Sequence, residues 1–289
     1  MQPDNPYALT LEDSRAIFTE DIAPTYFNHA AYLKMPELHA VGAQPGSGKS
    51  TLIDEITIAL KNRFGNDSVV SIIGDELRGF HPNYKRLLEI DASRAAYYTD
   101  ADSGRWVEQA IALTAQQGNC VIIEGTLRNP EVTIRTASHY LKHGFTAHLH
   151  VLAVHEFVSR SRIFNRYFEQ VEKSGQGRYT LPKAHDLSYK ALPKSVALLT
   201  DSLLFKTVTL YDPRLNPICA INLPKKDAGQ EVLTKLEKCR DNKYVDTADI
   251  LLTTDRLLPQ AKKHGRIYSD LQNLRKAVSQ LSTGSCGNP

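Results

Sequence analysis

Residues 43–50 read Ala-Gln-Pro-Gly-Ser-Gly-Lys-Ser, between the apolar run Leu38–Val41 and an amphipathic stretch over Lys49–Asn62. Glycines, then lysine and a hydroxyl, at a strand-to-helix junction are what a chain needs to wrap backbone N–H groups around phosphate. Gly46 and Gly48 permit the tight turn, and the helix N-terminus adds partial positive charge. In such a loop Lys49 reaches the β- and γ-phosphates and the Ser50 hydroxyl ligates magnesium. Gln44, Pro45, Gly46, Ser47, Gly48, Lys49, Ser50 and Thr51 form the expected nucleotide-binding set. The G-x-x-x-x-G-K-[ST] pattern calls for glycine where this chain has Ala43, with Gly42 just before it. Alanine is tolerated there if its backbone angles are ordinary.

The rest of the chain agrees with this loop. Apolar runs at 38–41, 69–73, 120–123, 147–154 and 208–211 alternate with helical stretches at 49–62, 104–117, 130–143, from about 155, and 188–199. That alternation predicts an α/β fold in three layers, a mostly parallel central sheet flanked by helices. The expected organisation is an N-terminal helical segment over 1–35, with its helix at 11–34, and a P-loop kinase core over 36–213. A mostly helical C-terminal extension of the same domain follows over 214–289. Leu11, Ala16, Ile17, Ile22 and Tyr26 are the expected core contacts of the first helix; 173–180 reads as a mobile loop and 284–289 as a frayed end. Four cysteines without CxxC or zinc-type spacing suggest reduced thiols, and the first residues lack a signal-peptide pattern. The expectation is a cytoplasmic protein without a membrane span.

A phosphate loop does not by itself define a reaction. The nearest string to a GTPase N-K-x-D, at 242–246, has its Asp one place late. Asp75, after the strand 69–73, is placed close to the phosphates. A carboxylate there suits a small-molecule kinase, in which it takes the proton of an acceptor hydroxyl. It also suits a magnesium-binding role. Residues 160–194 hold eight basic and three acidic side chains, a source of guanidinium groups for transition-state charge. Spacing alone does not choose among them. The balance of 35 Lys plus Arg against 32 Asp plus Glu, a net charge of +3, argues against a dedicated nucleic-acid protein.

Four ordered motifs give the chain a resemblance to the zeta toxin family over roughly residues 36–200. They are Gln44–Lys49; Asp75 six residues before His81-Pro82; Ile123-Glu124-Gly125-Thr126-Leu127-Arg128; and Arg166-Tyr167 followed by 178–185, Arg-Tyr-Thr-Leu-Pro-Lys-Ala-His. The resemblance implies an ATP- and magnesium-dependent kinase of the sugar 3′-hydroxyl of UDP-N-acetylglucosamine or a related UDP-sugar, which blocks cell-wall precursor synthesis. It also implies a small helical antitoxin as partner. It makes Asp75 the base, with Lys49, Arg166 and Arg178 as the cations around the transferred phosphoryl. Glu108, Glu124, Thr126, Arg128 and Thr136 become acceptor-site residues.

Plainer roles stand beside these. Glu108 can be an exposed helix residue, Thr136 can back-bond within its helix, and Thr126 can cap the helix near Pro130. Glu124, straight after an apolar run, needs a partner. Trp106 and Tyr98 could stack on a base, or belong to the core. Arg78 could meet an acceptor phosphate. The alternative readings are a kinase of a dinucleotide such as NAD or of a nucleic-acid 5′-hydroxyl, and a nucleotide-dependent switch without transfer.

Overall fold

The computed structural model describes residues 5–27, 31–242 and 245–284, without the side chains of 91–93 and 283–284. The helices are α1 (Leu11–Ile17), continued by a π-helical turn (Phe18–Ile22) into α2 (Ala23–Tyr26), then α3 (Lys49–Phe64), α4 (Gly74–Leu77), α5 (Tyr84–Gln117), α6 (Pro130–Lys142), α7 (Glu156–Ser174), α8 (Pro182–Asp201), α9 (Ala228–Cys239), α10 (Thr247–Ala261) and α11 (Gly265–Gly284). The strands are β1 (Glu37–Gly42), β2 (Val69–Ile72), β3 (Cys120–Gly125), β4 (Thr146–Leu152), β5 (Thr207–Tyr211) and β6 (Pro217–Asn222).

They form one sheet in the order β2-β3-β1-β4-β5-β6, parallel except for the antiparallel β5–β6 pair. β1 lies at its centre and is buried along its whole length, as a parallel strand covered on both faces must be. Leu52, Ile56 and Leu60 bury the inner face of α3 as their spacing predicts. This is the three-layer P-loop kinase-like architecture. No helix among the described residues is long and apolar enough to cross a membrane.

Three elements depart from the expected ones. The first helix ends at Tyr26 rather than at 34, and among the described residues that follow, Ala31 N–H donates to the Asp67 carbonyl and Leu33 N–H to that of Gly118. Its anchors are Phe18, Ile22 and Phe27, whereas Leu11 is exposed. The helix expected at 104–117 begins at Tyr84. Its early half buries Thr99, Asp102 and Ser103 beside Leu87 and Ala95, so no apolar stripe advertises it. β6 has no counterpart among the expected strands, because only Cys219 and Ile221 face inward on this edge strand and it opens on a proline.

The C-terminal helices have their own core. Ile250 and Leu257 of α10 and Leu271, Leu274 and Val278 of α11 pack on Ile163, Phe164, Tyr167 and Phe168 of α7. Residues 285–289, expected to fray, lie outside the described part, as does Lys243-Tyr244 of the GTPase-like string.

Candidate active site

The carboxyl ends of β2, β3 and β1 lie side by side, and β4 leads from the same edge into α7, so one rim gathers the candidate residues of these elements. Between β1 and α3 the loop turns through Gly46 (φ 78°) and Gly48 (φ 101°). Ala43 is buried with ordinary backbone angles, so the missing consensus glycine costs nothing. Its neighbour Gly42 is the position that needs glycine: a Cβ there would stand 2.0 Å from Leu127 Cδ1. At Gly46 a Cβ would stand 2.1 Å from the Ser159 carbonyl oxygen of α7. Gly46→Ala therefore forces the loop off α7 at a strain of about 1–3 kcal/mol for the backbone angle alone. ATP affinity measured by calorimetry should fall more than roughly tenfold; unchanged affinity would mean the loop does not hold the phosphates.

Gln44 is fully buried and its side chain is committed elsewhere. Its Nε2 donates to the Val154 carbonyl (2.7 Å) and its Oε1 accepts from Arg240 Nη2 (2.8 Å), leaving the backbone as what it can offer a phosphate. Arg240, just past α9, also donates to the Tyr189 carbonyl and lies 4.1 Å over that ring. Burial pulls its pKa down to about 10, so it remains a cation at neutral pH. The C-terminal extension thus braces the loop from behind. Arg240→Met strands the Gln44 amide oxygen, and denaturant titration should show a loss of about 1–3 kcal/mol; a neutral result would mean the brace is incidental.

Lys49 Nζ donates to the Ala43 and Gln44 carbonyls (3.1 and 3.3 Å) and pairs with Glu124 at 3.4 Å. That ion pair is the partner Glu124 needs at the end of its apolar strand. Burial lowers the Lys49 pKa, opposed by Glu124 and Asp75. Asp75, on the first turn of α4, receives Arg178 Nη1 at 3.0 Å on one oxygen and Arg78 Nε at 3.1 Å on the other. Burial raises its pKa, but Arg178, Arg78 and Lys49 together outweigh that and hold it below the usual carboxylate value. Arg166 donates to Thr180 Oγ1 at 3.2 Å, and its Nε is buried without a partner. Burial and the neighbouring Arg178 lower its pKa, while Asp75 and Glu124 oppose them. Lys49, Asp75, Glu124, Arg166 and Arg178 are therefore one charge cluster.

Beside it opens a cavity of about 540 Å³. Glu108, Glu124 and Thr136 line it together with Gly74, the residue before Asp75. Three of the five expected acceptor-site residues, far apart in sequence, thus share one chamber. Thr126 and Arg128 are not among its lining residues. The cap of α6 is Asn129, whose side chain accepts from the Glu131 N–H, not Thr126. On the other side of the loop, Arg162 Nη1 donates to the Ser47 carbonyl at 3.1 Å. It marks the entrance of a groove of about 1070 Å³ lined by α7, α9, α10 and the turn Asp212-Pro213-Arg214. Nothing in the spacing of the sequence singled out Arg162, Arg240 or this turn.

Trp106 is completely buried and donates Nε1–H to the Ser14 carbonyl, while Tyr98 packs edge-on against Tyr7; neither is placed to stack on a base. Arg78 is buried and fully engaged with Asp75, the Ala96 carbonyl, Thr99 and Asp100, so it is not free for an acceptor phosphate.

The phosphate loop, the clustered cations and the carboxylate beside a second chamber define a phosphoryl-transfer class of P-loop protein. The zeta toxin family model matches residues 25–223, and the chain belongs to that family of toxin kinases. It is 27% identical over 244 residues to Toxin zeta of Streptococcus pyogenes, covering 78% of this chain and 83% of the relative. With Toxin PezT of Streptococcus pneumoniae serotype 4 it shares 27% identity over 179 residues, 62% of this chain and 69% of the relative. The fold matches a solved structure from the PezAT chromosomal toxin-antitoxin system of S. pneumoniae, with TM-score 0.65, 22% identity and coverage of 81% of this chain and 97% of that one. A structure of the AvrRxo1-ORF1:-ORF2 complex matches with TM-score 0.50, 14% identity and coverage of 96% and 85%.

Proposed function

We propose that the protein transfers the ATP γ-phosphate to the 3′-hydroxyl of UDP-N-acetylglucosamine or a related UDP-sugar, and so inhibits cell-wall precursor synthesis. The observation that carries this reading is that Asp75 pairs with Arg178, feels the charge of Lys49 of the phosphate loop, and directly follows Gly74, which lines the chamber with Glu108, Glu124 and Thr136. ATP lays its phosphates on the loop and its nucleoside in the groove behind Arg162. The acceptor hydroxyl enters from the chamber, and Asp75 takes its proton as the oxygen attacks. Lys49, Arg166 and Arg178 offset the charge that spreads over the phosphoryl oxygens.

The residues fit a magnesium ion. Ser50 is exposed on the first turn of α3. Nearby Asp54, Asp75, Glu76 and Glu124 crowd together closely enough to raise the Glu76 pKa, on top of the larger effect of its burial. Such oxygen donors suit a hard divalent cation, with Ser50 as its direct protein ligand. Bound there it supplies charge neutralisation of the β- and γ-phosphate oxygens.

Arg178 has two competing anions in this scheme, Asp75 now and the γ-phosphate once ATP is bound. As the phosphate draws it away, the Asp75 carboxylate loses its strongest favourable neighbour and becomes a stronger base. The sign follows for pH dependence. A base whose pKa is lowered below the ordinary 3.8 stays ionised in the free enzyme throughout the mildly acidic range. Its protonation therefore produces no fall in kcat/KM between about pH 7 and pH 5. Arg178→Ala removes a cation, raises the Asp75 pKa and should move the acidic limb upward. A limb that stays put in this variant would remove Asp75 as its source.

The assignment is tested by acceptor-dependent ADP release from wild type and Asp75→Asn, offering UDP-N-acetylglucosamine, UDP-glucose, NAD and a 5′-hydroxyl oligonucleotide. Turnover with a UDP-sugar that disappears in the variant supports reaction and acceptor together. Turnover with NAD or the oligonucleotide alone keeps the kinase and replaces the acceptor. ATP binding without any turnover favours a switch. A small helical antitoxin occluding the nucleotide site is the proposed partner; the name of the PezAT toxin-antitoxin system, whose structure shares this fold, supports it.

A further inference from the structure

Glu37 and His39 of β1 and His148 of β4 meet at the end of the sheet opposite the phosphate loop. His39 and His148 are register partners, and their rings stack at 4.9 Å. One ligand atom from each of the three residues lies within 4.8 Å of the others. Bonds of roughly 2.0–2.2 Å in a tetrahedral zinc site put ligand atoms about 3.4 Å apart. Glu37 Oε2 and His39 Nε2, 3.2 Å apart, already have that spacing, and His148 has only to close toward them.

The ring nitrogens are arranged for ligation. His148 Nδ1 lies 2.7 Å from Thr207 Oγ1, and its Nε2 is buried without any hydrogen-bond partner. With Nδ1–H donating to the threonine, the lone pair sits on the orphaned Nε2. His39 Nδ1 lies 3.0 Å from His150 Nε2, and His150 Nδ1 lies 2.9 Å from the Tyr211 hydroxyl. A carboxylate only accepts, so without a metal His39 Nε2–H donates to Glu37; a cation entering between them takes the other tautomer, with both Nδ1–H groups donating along this chain and the His39 Nε2 lone pair on the ion. Each imidazole is thus oriented through its other nitrogen, as metal-bound histidines are. Arg63 pairs with Glu37 at 3.0 Å, but its side chain is 62% exposed and can leave when another cation takes the carboxylate.

We propose that Glu37, His39 and His148 form a binding site for a zinc-class transition-metal ion, through two imidazole nitrogens and a carboxylate oxygen. The nitrogen ligands separate it from the magnesium position at Ser50. The ion joins the first residues of β1 to β4, far from the loop at the other end of β1, so it acts on stability and leaves ATP binding alone.

The test uses the full chain freed of metal by a chelator. Zn2+ is titrated against a chromophoric competitor with excess Mg2+ present, and thermal unfolding is followed with and without Zn2+. One ion per chain should bind and raise the unfolding midpoint. Binding should be lost in Glu37→Gln and His148→Gln. Thr207→Val keeps the side-chain shape but removes the orienting hydroxyl, and should weaken binding roughly 10–100-fold. It carries the test if either ligand variant fails to fold. Co2+ should give the visible bands of a tetrahedral site without thiolate charge transfer, which excludes the cysteines. Absence of binding by wild type, Zn2+ affinity unchanged in these variants, or displacement of Zn2+ by Mg2+ would each overturn the proposal.

Discussion

Asp75→Asn lowers phosphoryl transfer by about 10²–10⁴-fold, the usual contribution of a positioned general base. The substitution keeps the side-chain volume and one carbonyl oxygen. The Arg178 and Arg78 contacts at 3.0 and 3.1 Å are weakened without opening a hole. The residue is half-exposed on the short helix α4 and belongs to no apolar core. Fold and ATP affinity should therefore survive while turnover collapses. Circular dichroism and ATP titration check the first part, and single-turnover kinetics the second. Near wild-type transfer in a folded variant would end the assignment of Asp75 as base. A matched loss of ATP binding would instead make it a ground-state ligand.

Arg166→Ala lowers kcat by roughly 10³-fold or more, as removal of an arginine that meets the transferring phosphoryl does in this reaction class. Its guanidinium is held on α7 by the packing of Phe164, Tyr167 and Phe168 against the C-terminal helices, so little rearrangement is needed at the moment of transfer. It makes one hydrogen bond, to Thr180, and keeps the buried Nε unsatisfied, donor capacity that an incoming oxyanion can use. The KM for ATP should change far less than kcat, because Lys49 and the loop backbone carry ground-state binding. Arg166→Lys, which retains charge but not the planar fork, should recover only part of the loss. Equal changes in kcat/KM and ATP affinity would place Arg166 in substrate binding alone.

The zinc-class site and the kinase site fail independently. Zn2+ binding with no phosphoryl transfer would leave the histidine cluster standing, and transfer without Zn2+ binding would leave Asp75 and Arg166 standing. The two sites share no residue: Glu37 and His39 stand at the start of β1, and the phosphate loop follows its other end.

The amino-acid sequence determined by itself whatever depends on neighbours along the chain. The turn at Gly46 and Gly48, the lysine and serine opening α3, and the buried face of Leu52, Ile56 and Leu60 are local consequences of residue type and period. The parallel sheet followed from apolar runs separated by helix-length segments, and the family followed from four motifs in order. The early half of α5 was illegible because its buried positions are Thr99, Asp102 and Ser103, and β6 because an edge strand buries only alternate residues.

Only the tertiary structure decided what meets across the sheet. Parallel register sets Val41 beside Glu124 and so brings that carboxylate to Lys49. The ends of β2 and β3, with α5 and α6, place Gly74, Glu108, Glu124 and Thr136 around one chamber with Asp75 next to Gly74, while Thr126 and Arg128 stay off its wall. The same rule put Trp106 in the core, tied Arg240 to Gln44 and gathered His39 and His148. The physical reason is that these contacts join residues distant in sequence through strand order and helix packing, and no period or spacing along a chain encodes which distant side chains share a cavity.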